Sequence, residues 1–513
     1  MRACACLLSL AALAAADWAE VQERFKGAYR DGAPEAARRE ALLELARADL
    51  PEAAEALFAV WHALEEETKR LRREIFELRA KIRRARADPR AAAEVPALDA
   101  RDIELNTRLG ALELERSAIL SGVRGFKAPP ALDWLRDKGL ASARSPALLR
   151  VAAGRVGGAA DGGMAALLDA LAKAREPGQA VALLDALAEN AKGIGVPGLP
   201  TVLRRLSDRD AAVRAAAARA VARSALPDGV GPLVRQVQRE APRSRAEREL
   251  LDALRLLTGA NPGDDPRVWA AWWRDHEAEV MGGKLALGIG KPARVTTDQG
   301  NFYGIPQIEQ RIVYVLDRSG SMVVSMEEPR FVAGGAVAAR DDEDSRFDAA
   351  VRELLRAAKS LRKDASYTLV AYSDHAEAVL GEDLEPATSE RHAQLTGTLA
   401  RMGPEGQTNI YEALDLALRL AGVHPEEPPG PAKADAIYLL TDGAPTDAKG
   451  KIEDPERTLE AAREWNALRR IAIHTIGIGA EHNSAFLRQL AEEHGGEYYA
   501  VVPKKKVKKP DGN

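Results

Sequence analysis

Five side chains, lying in three separate stretches, carry the types and spacing needed to converge on one chemistry. Asp317, Ser319 and Ser321 alternate in Asp317-Arg318-Ser319-Gly320-Ser321. Thr408 lies in Gly406-Gln407-Thr408-Asn409, and Asp442 in Thr441-Asp442-Gly443. A sharply turned loop can aim side chains at alternate positions toward one point, and Gly320 is expected to relax that turn. Two carboxylates and three hydroxyls, with no nitrogen or sulfur, select a hard cation. Mg²⁺ is the expected ion; Mn²⁺ and Ca²⁺ suit the same donors. Catalytic patterns are missing around these residues. His375, His392, His424, His474, His482 and His494 are scattered, with no H-E-x-x-H pair. Ser319 and Ser321 sit in no Gly-x-Ser-x-Gly elbow, and no Gly-x-x-x-x-Gly-Lys-Ser/Thr loop occurs. The expectation is a cation site in a protein that is not an enzyme.

Positioning such residues requires strands that end together. Apolar runs at 312–316, 367–372, 437–440 and 471–476 alternate with helical patterns near 346–362, 389–402, 409–421, 455–469 and 485–494. Continuous apolar strands between helices predict a mostly parallel sheet covered on both faces, a Rossmann-like α/β domain over 309–503. Loops at the carboxyl ends of such strands meet at the ligand crevice. The stretches 317–321 and 441–443 directly follow strand runs. His474 falls inside a strand run, where a packed, hydrogen-bonded histidine is expected.

Asp-x-Ser-x-Ser, a Thr in a Gly-x-Thr-Asn loop, and Thr-Asp-Gly after a strand together resemble the von Willebrand factor A family. The resemblance spans about 190 residues, with Ile471–Gly479 and Gly495–Val501 similar to that family's last two strands. It implies a metal-ion-dependent adhesion site. Ser319 and Ser321 would bind the ion directly, Thr408 directly in the ligand-competent state, and Asp317 and Asp442 largely through water. The implied partner is a protein that offers an Asp or Glu carboxylate to the last coordination position. One departure is the insertion at 322–344, which carries Glu327, Glu328 and Asp341-Asp342-Glu343-Asp344. It reads as a solvated surface loop, with a lid over the ion as the alternative.

The amino-terminal half reads as all-α. Residues 1–16 resemble a secretory signal: Arg2, an apolar stretch with Leu7, Leu8, Leu10 and Leu13, then Ala14-Ala15-Ala16 with a cut expected after Ala16. The two cysteines, Cys4 and Cys6, lie within it. Over 17–126, a first heptad seam runs through Leu57, Trp61, Leu64, Thr68, Leu71, Ile75, Leu78 and Ile82. A second runs through Leu105, Leu109, Leu112, Arg116, Ile119 and Val123. The two seams fit an antiparallel coiled-coil hairpin or an intermolecular coiled coil; the hairpin is the expectation. Over 127–280, similar segments at 198–203 and 229–234 each follow an Ala-rich helix. Asp208–Arg214 resembles the opening of a HEAT repeat, so stacked helix pairs are expected. Trp269, Trp272 and Trp273 share a helical face and read as a cap for the stack. Residues 281–308 read as a linker or an irregular first strand leading into the next domain, and 504–513 as a basic, solvating tail, with contact to an anionic surface as the alternative.

Net charge is −4, so no global basic field gathers nucleic acid. No later run of apolar residues is long enough for a transmembrane span. The leading reading is therefore a secreted or periplasmic interaction and adhesion protein. Two others remain open: a cofactor subunit of a molecular-machine ATPase, and a secreted metal-dependent hydrolase.

Overall fold

The computed structural model describes residues 18–501 apart from 31, 89, 243, 289, 291–299, 326–344, 425–431, 447–451 and 468–470. The expected signal, the acidic residues of the insertion and the basic tail lie outside the described residues. The chain divides into two compact units, Met1–Ala293 and Arg294–Asn513. Among the described residues, no helix is long and apolar enough to cross a membrane.

In the first unit, both heptad seams fold as one antiparallel pair, the helices Pro51–Ala87 and Val95–Gly125. Each carries proline in its first turn, where the missing N–H costs nothing. Every residue of both seams is buried. Charged pairs fix the register: Arg72 donates to Glu113 (2.9 Å), Arg79 to Asp102 (3.1 Å) and Arg86 to Asp99 (3.2 Å). Arg116, the charged member of the second seam, lays its guanidinium 4.5 Å from the Trp61 ring centroid, and the Trp61 N–H donates to Ser145.

Eight helices follow, taken two at a time in sequence: Pro146–Ala159 with Gly163–Lys173, Pro177–Glu189 with Gly195–Arg204, Ala211–Ser224 with Val230–Val237, and Arg245–Thr258 with Pro266–Met281. The first helices of successive pairs pack on one another in order. Small side chains permit this close approach; Ala216, Ala217, Ala218 and Ala220 are fully buried. Asp210 caps its helix by accepting the Ala212 N–H at 2.8 Å, and Val213 is buried. Trp269 lies wholly inside and donates to the Gly263 carbonyl at 2.9 Å; Trp272 stacks on His276 instead.

The second unit opens with a short hairpin, β1 (Asn301–Phe302) and β2 (Ile305–Pro306). These two strands fall within 281–308, the stretch read as a linker or an irregular first strand. Its carboxyl end is packed structure, with Phe302 and Ile305 buried in the core of this unit. Two-residue strands carry no periodicity, so nothing in the sequence pattern places them. The sheet follows in the order β5 (Ala376–Ala378), β4 (Ser366–Tyr372), β3 (Arg311–Asp317), β7 (Ala436–Thr441), β8 (Ala472–Ile478), β9 (Tyr498–Val501), with β6 (Glu385–Pro386) also paired to β4. Strands β4, β3, β7, β8 and β9 are parallel; β5 and β6 are antiparallel edges. One face is covered by β1–β2 and the helices Arg346–Lys359 and Ser389–Leu399. On the other, the Thr475 hydroxyl donates to Leu487 in the helix Ser484–Glu493, and Ile410–Leu420 and Pro455–Trp465 complete the layer. His474 is packed as expected: it stacks on Tyr438 at 4.5 Å and accepts the Glu497 N–H at 3.0 Å.

The helix Ile410–Leu420 carries a largely buried acid, Asp415, held by Arg419 at 3.1 Å and His424 at 3.2 Å. Burial opposes its charge, but these partners win and hold it well below the usual carboxylate range. An acid with a depressed folded value stabilises the fold above its ordinary value and loses that contribution as pH falls through the acid range. Asp415→Asn is therefore expected to cost about 3 kcal/mol at neutral pH. The gap from wild type should narrow as pH falls below about 4. Urea titrations across that range check both.

Candidate metal centre

The sheet order reverses at β3. The chain steps from β3 to β4 on one side, then crosses to β7 on the other. Loops leaving the carboxyl ends of strands on either side of such a switch point diverge and open a crevice. The loop after β3 carries Asp317, Ser319 and Ser321; the loop after β7 carries Asp442.

The structure links these four residues. Asp317, fully buried, closes β3 and accepts the Ser319 N–H at 2.7 Å. Its other oxygen accepts the Thr441 hydroxyl at 2.7 Å and the Tyr372 hydroxyl at 3.2 Å. The hydroxyls of Ser319 and Ser321 lie 3.1 Å apart, and Ser321 donates to Asp442 Oδ1 at 2.7 Å. Thr408, on the third loop, is tied in through backbone. The Gly320 N–H donates to the Gly406 carbonyl at 2.9 Å, which joins the first loop to the third. The Thr408 N–H donates to the Thr446 hydroxyl at 2.8 Å, and the Thr446 N–H returns to the Thr408 carbonyl at 2.9 Å. A Cβ on Gly443 would stand 3.5 Å from the Thr408 hydroxyl, so Thr408 borders the residue after Asp442.

One expectation about this loop is corrected. Gly320 does not occupy the left-handed region; it opens a short 3₁₀ turn, Gly320–Val323. A Cβ there would sit 3.4 Å from the Gly406 carbonyl, an ordinary contact, so this position does not require glycine. Gly406, in the loop that carries Thr408, does have positive φ, at +74°.

The donor chemistry suits a divalent cation. Burial first, and then the nearby charge of Asp442, push Asp317 above the usual carboxylate range. Two acids crowded in this way, beside two hydroxyls, form an oxygen-only set whose repulsion a hard cation would relieve. Among the described residues, no group of three His, Cys, Asp or Glu side chains competes as a metal cluster.

Sequence reasoning missed the residues behind the candidate ligands. Tyr372 and Thr441, the last residues of β4 and β7, aim hydroxyls at Asp317. Arg346 opens the helix Arg346–Lys359 behind a Ser345–Asp348 capping box and donates to Asp442 Oδ2 at 2.8 Å. Strand-end position is a signal for the first two; nothing in the sequence couples Arg346 to Asp442.

Residues 312–509 match the family model for the von Willebrand factor type A domain. This region is a von Willebrand factor type A domain. The match and the parallel sheet with its switch-point crevice agree on where the domain lies. Solved structures similar to the chain include a von Willebrand factor type A protein from Catenulispora acidiphila, 21% identical, covering 38% of this chain and 38% of that one, with a TM-score of 0.29. Another is proximal thread matrix protein 1 from the mussel byssus with a zinc-occupied MIDAS motif. It is 20% identical and covers 39% of this chain and 43% of that one, with a TM-score of 0.27. The chain thus spans less than half the length of either structure. No curated protein matches it.

Proposed function

We propose that the von Willebrand factor type A domain is a metal-dependent protein-binding module, not an enzyme, which grips a partner's Asp or Glu side chain through a divalent cation. The observation that carries this reading is the linked set Asp317, Ser319, Ser321 and Asp442, with Thr408 beside it, at the switch point of the sheet. Mg²⁺ is the first choice of ion, with Mn²⁺ and Ca²⁺ as the other hard cations. When bound, the ion would supply a positive centre that neutral hydroxyls offset only in part, so an incoming carboxylate can complete its coordination. Asp317, pinned by Ser319, Thr441 and Tyr372, would hold its oxygens in place, and Ser321 would be oriented by Asp442. Metal-dependent adhesion is the activity this arrangement serves.

The remaining chain fits an extracytoplasmic scaffold. Residues 1–16 have the pattern of a cleavable signal, and a mature chain without cysteine tolerates an oxidising exterior. The stacked pairs over 146–281 are read as HEAT-like repeats, and with the coiled-coil hairpin they would display the binding domain. A pull-down from envelope extract, with and without chelator, tests the proposal. Wild type should capture a partner only with divalent metal, and Thr408→Ala should lose most of that capture. Capture that ignores the chelator and survives Thr408→Ala would leave the adhesive reading without support.

A further inference from the structure

Arg346 is a buried cation set against the candidate metal site. Its side chain is 4% exposed. The guanidinium donates to Asp442 Oδ2 at 2.8 Å and reaches the exposed Glu481 at 3.4 Å. It lies flat against Gly479, where a Cβ would come within 2.8 Å of the guanidinium carbon and where φ is +81°, so only glycine leaves this space. The fork is thus fixed from below by backbone and from the side by a carboxylate. Asp442 is divided: Oδ1 takes the Ser321 hydroxyl and Oδ2 takes the arginine.

We infer that Arg346 sets the charge of the metal centre, trading cation affinity for affinity toward the partner's carboxylate. This rests on the metal-dependent reading above and adds a residue to it. Asp317 and Asp442 bring two negative charges, and Arg346 returns one positive. A site loaded with a divalent ion then keeps a net positive charge. Without Arg346 the two acids would cancel the ion, and Asp442 would be free to turn its second oxygen inward. The ion would be held more tightly and would attract an incoming acid less. An arginine that only braced the fold would move both affinities in the same direction or neither. Arg346 is a positioning residue with an electrostatic consequence, since it acts through Asp442.

The test uses the full chain with Mn²⁺ as the cation and acetate as the carboxylate. Mn²⁺ affinity comes from calorimetry, and acetate binding from its effect on water-proton relaxation of the bound ion. Arg346→Gln should bind Mn²⁺ about tenfold more tightly and acetate several-fold more weakly, the order expected for one charge a few ångströms away in a partly screened site. Arg346→Lys, which keeps the charge and loses the fork, should restore most of the acetate binding. Glu481→Gln alters only an exposed side chain, so it keeps the test alive should Arg346→Gln not fold. It should shift both affinities modestly the opposite way, weaker for Mn²⁺ and stronger for acetate. Parallel losses of both ligands in Arg346→Gln, or no opposed shifts in Glu481→Gln, overturn the inference while the metal site stands. Wild type that takes up no Mn²⁺ overturns the metal-dependent reading, and this inference with it.

Discussion

Asp317→Asn should reduce Mg²⁺ affinity by about 100-fold or more while the domain stays folded. The carboxylate is fully buried, with both oxygens engaged by Ser319, Thr441 and Tyr372. Asn preserves the volume and one acceptor oxygen but carries no charge. Burial and Asp442 both disfavour the Asp317 charge. Removing that charge therefore relieves the metal-free fold near neutral pH, even as it disables the site. Wild type should melt at higher temperature as Mg²⁺ is added, because a ligand that binds only the folded state stabilises it; the variant should not respond. Equal Mg²⁺ uptake by the two proteins in calorimetry would show that these side chains are not the ligands.

Gly496→Ala should be the most damaging small substitution in the same domain. Gly496 lies between the helix Ser484–Glu493 and β9, beside the backbone of β8. A Cβ there would stand 2.0 Å from the Ile473 carbonyl oxygen and 2.8 Å from the His474 nitrogen. Those atoms belong to β8, which pairs with β7 at Ile473 and His474 and with β9 from Thr475 onward, so they have little room to yield. A loss of about 4 kcal/mol or more is expected, at the far end of what single substitutions do. Gly320→Ala is the control, because its nearest contact would be 3.4 Å. Denaturant unfolding should separate the two variants widely; similar midpoints would mean that the β8–β9 junction is looser than its geometry implies.

Residues that repeat were legible. Both heptad seams are buried, since a stripe of apolar side chains every three or four positions has one way to leave water. The apolar runs at 312–316 and 437–440 became β3 and β7, because a strand buried on both faces needs no alternation. The candidate ligands were nominated for a different reason: Asp317, Ser319, Ser321 and Asp442 follow those runs at strand ends that converge, and Thr408 precedes a helix. Arg346 was not. It lies 96 positions from Asp442, inside an ordinary amphipathic helix pattern, and only folding brings the two together. The β1–β2 hairpin was legible only as an irregular strand, because its burial rests on two residues, Phe302 and Ile305, too few to make a pattern. For Gly320 the expected backbone freedom is not used, since its φ is not positive and a Cβ there would make only an ordinary contact.

The charged rungs between Pro51–Ala87 and Val95–Gly125 have a mechanical consequence. Arg72 with Glu113 is buried on both sides, Arg79 with Asp102 is largely so, and Arg86 with Asp99 is partly exposed. Slipping one helix past the other by a turn would break the buried Arg72–Glu113 pair and shift the two buried apolar seams out of register. The pair therefore cannot telescope, and it forms a strut of fixed reach, about 55 Å for its 37-residue member.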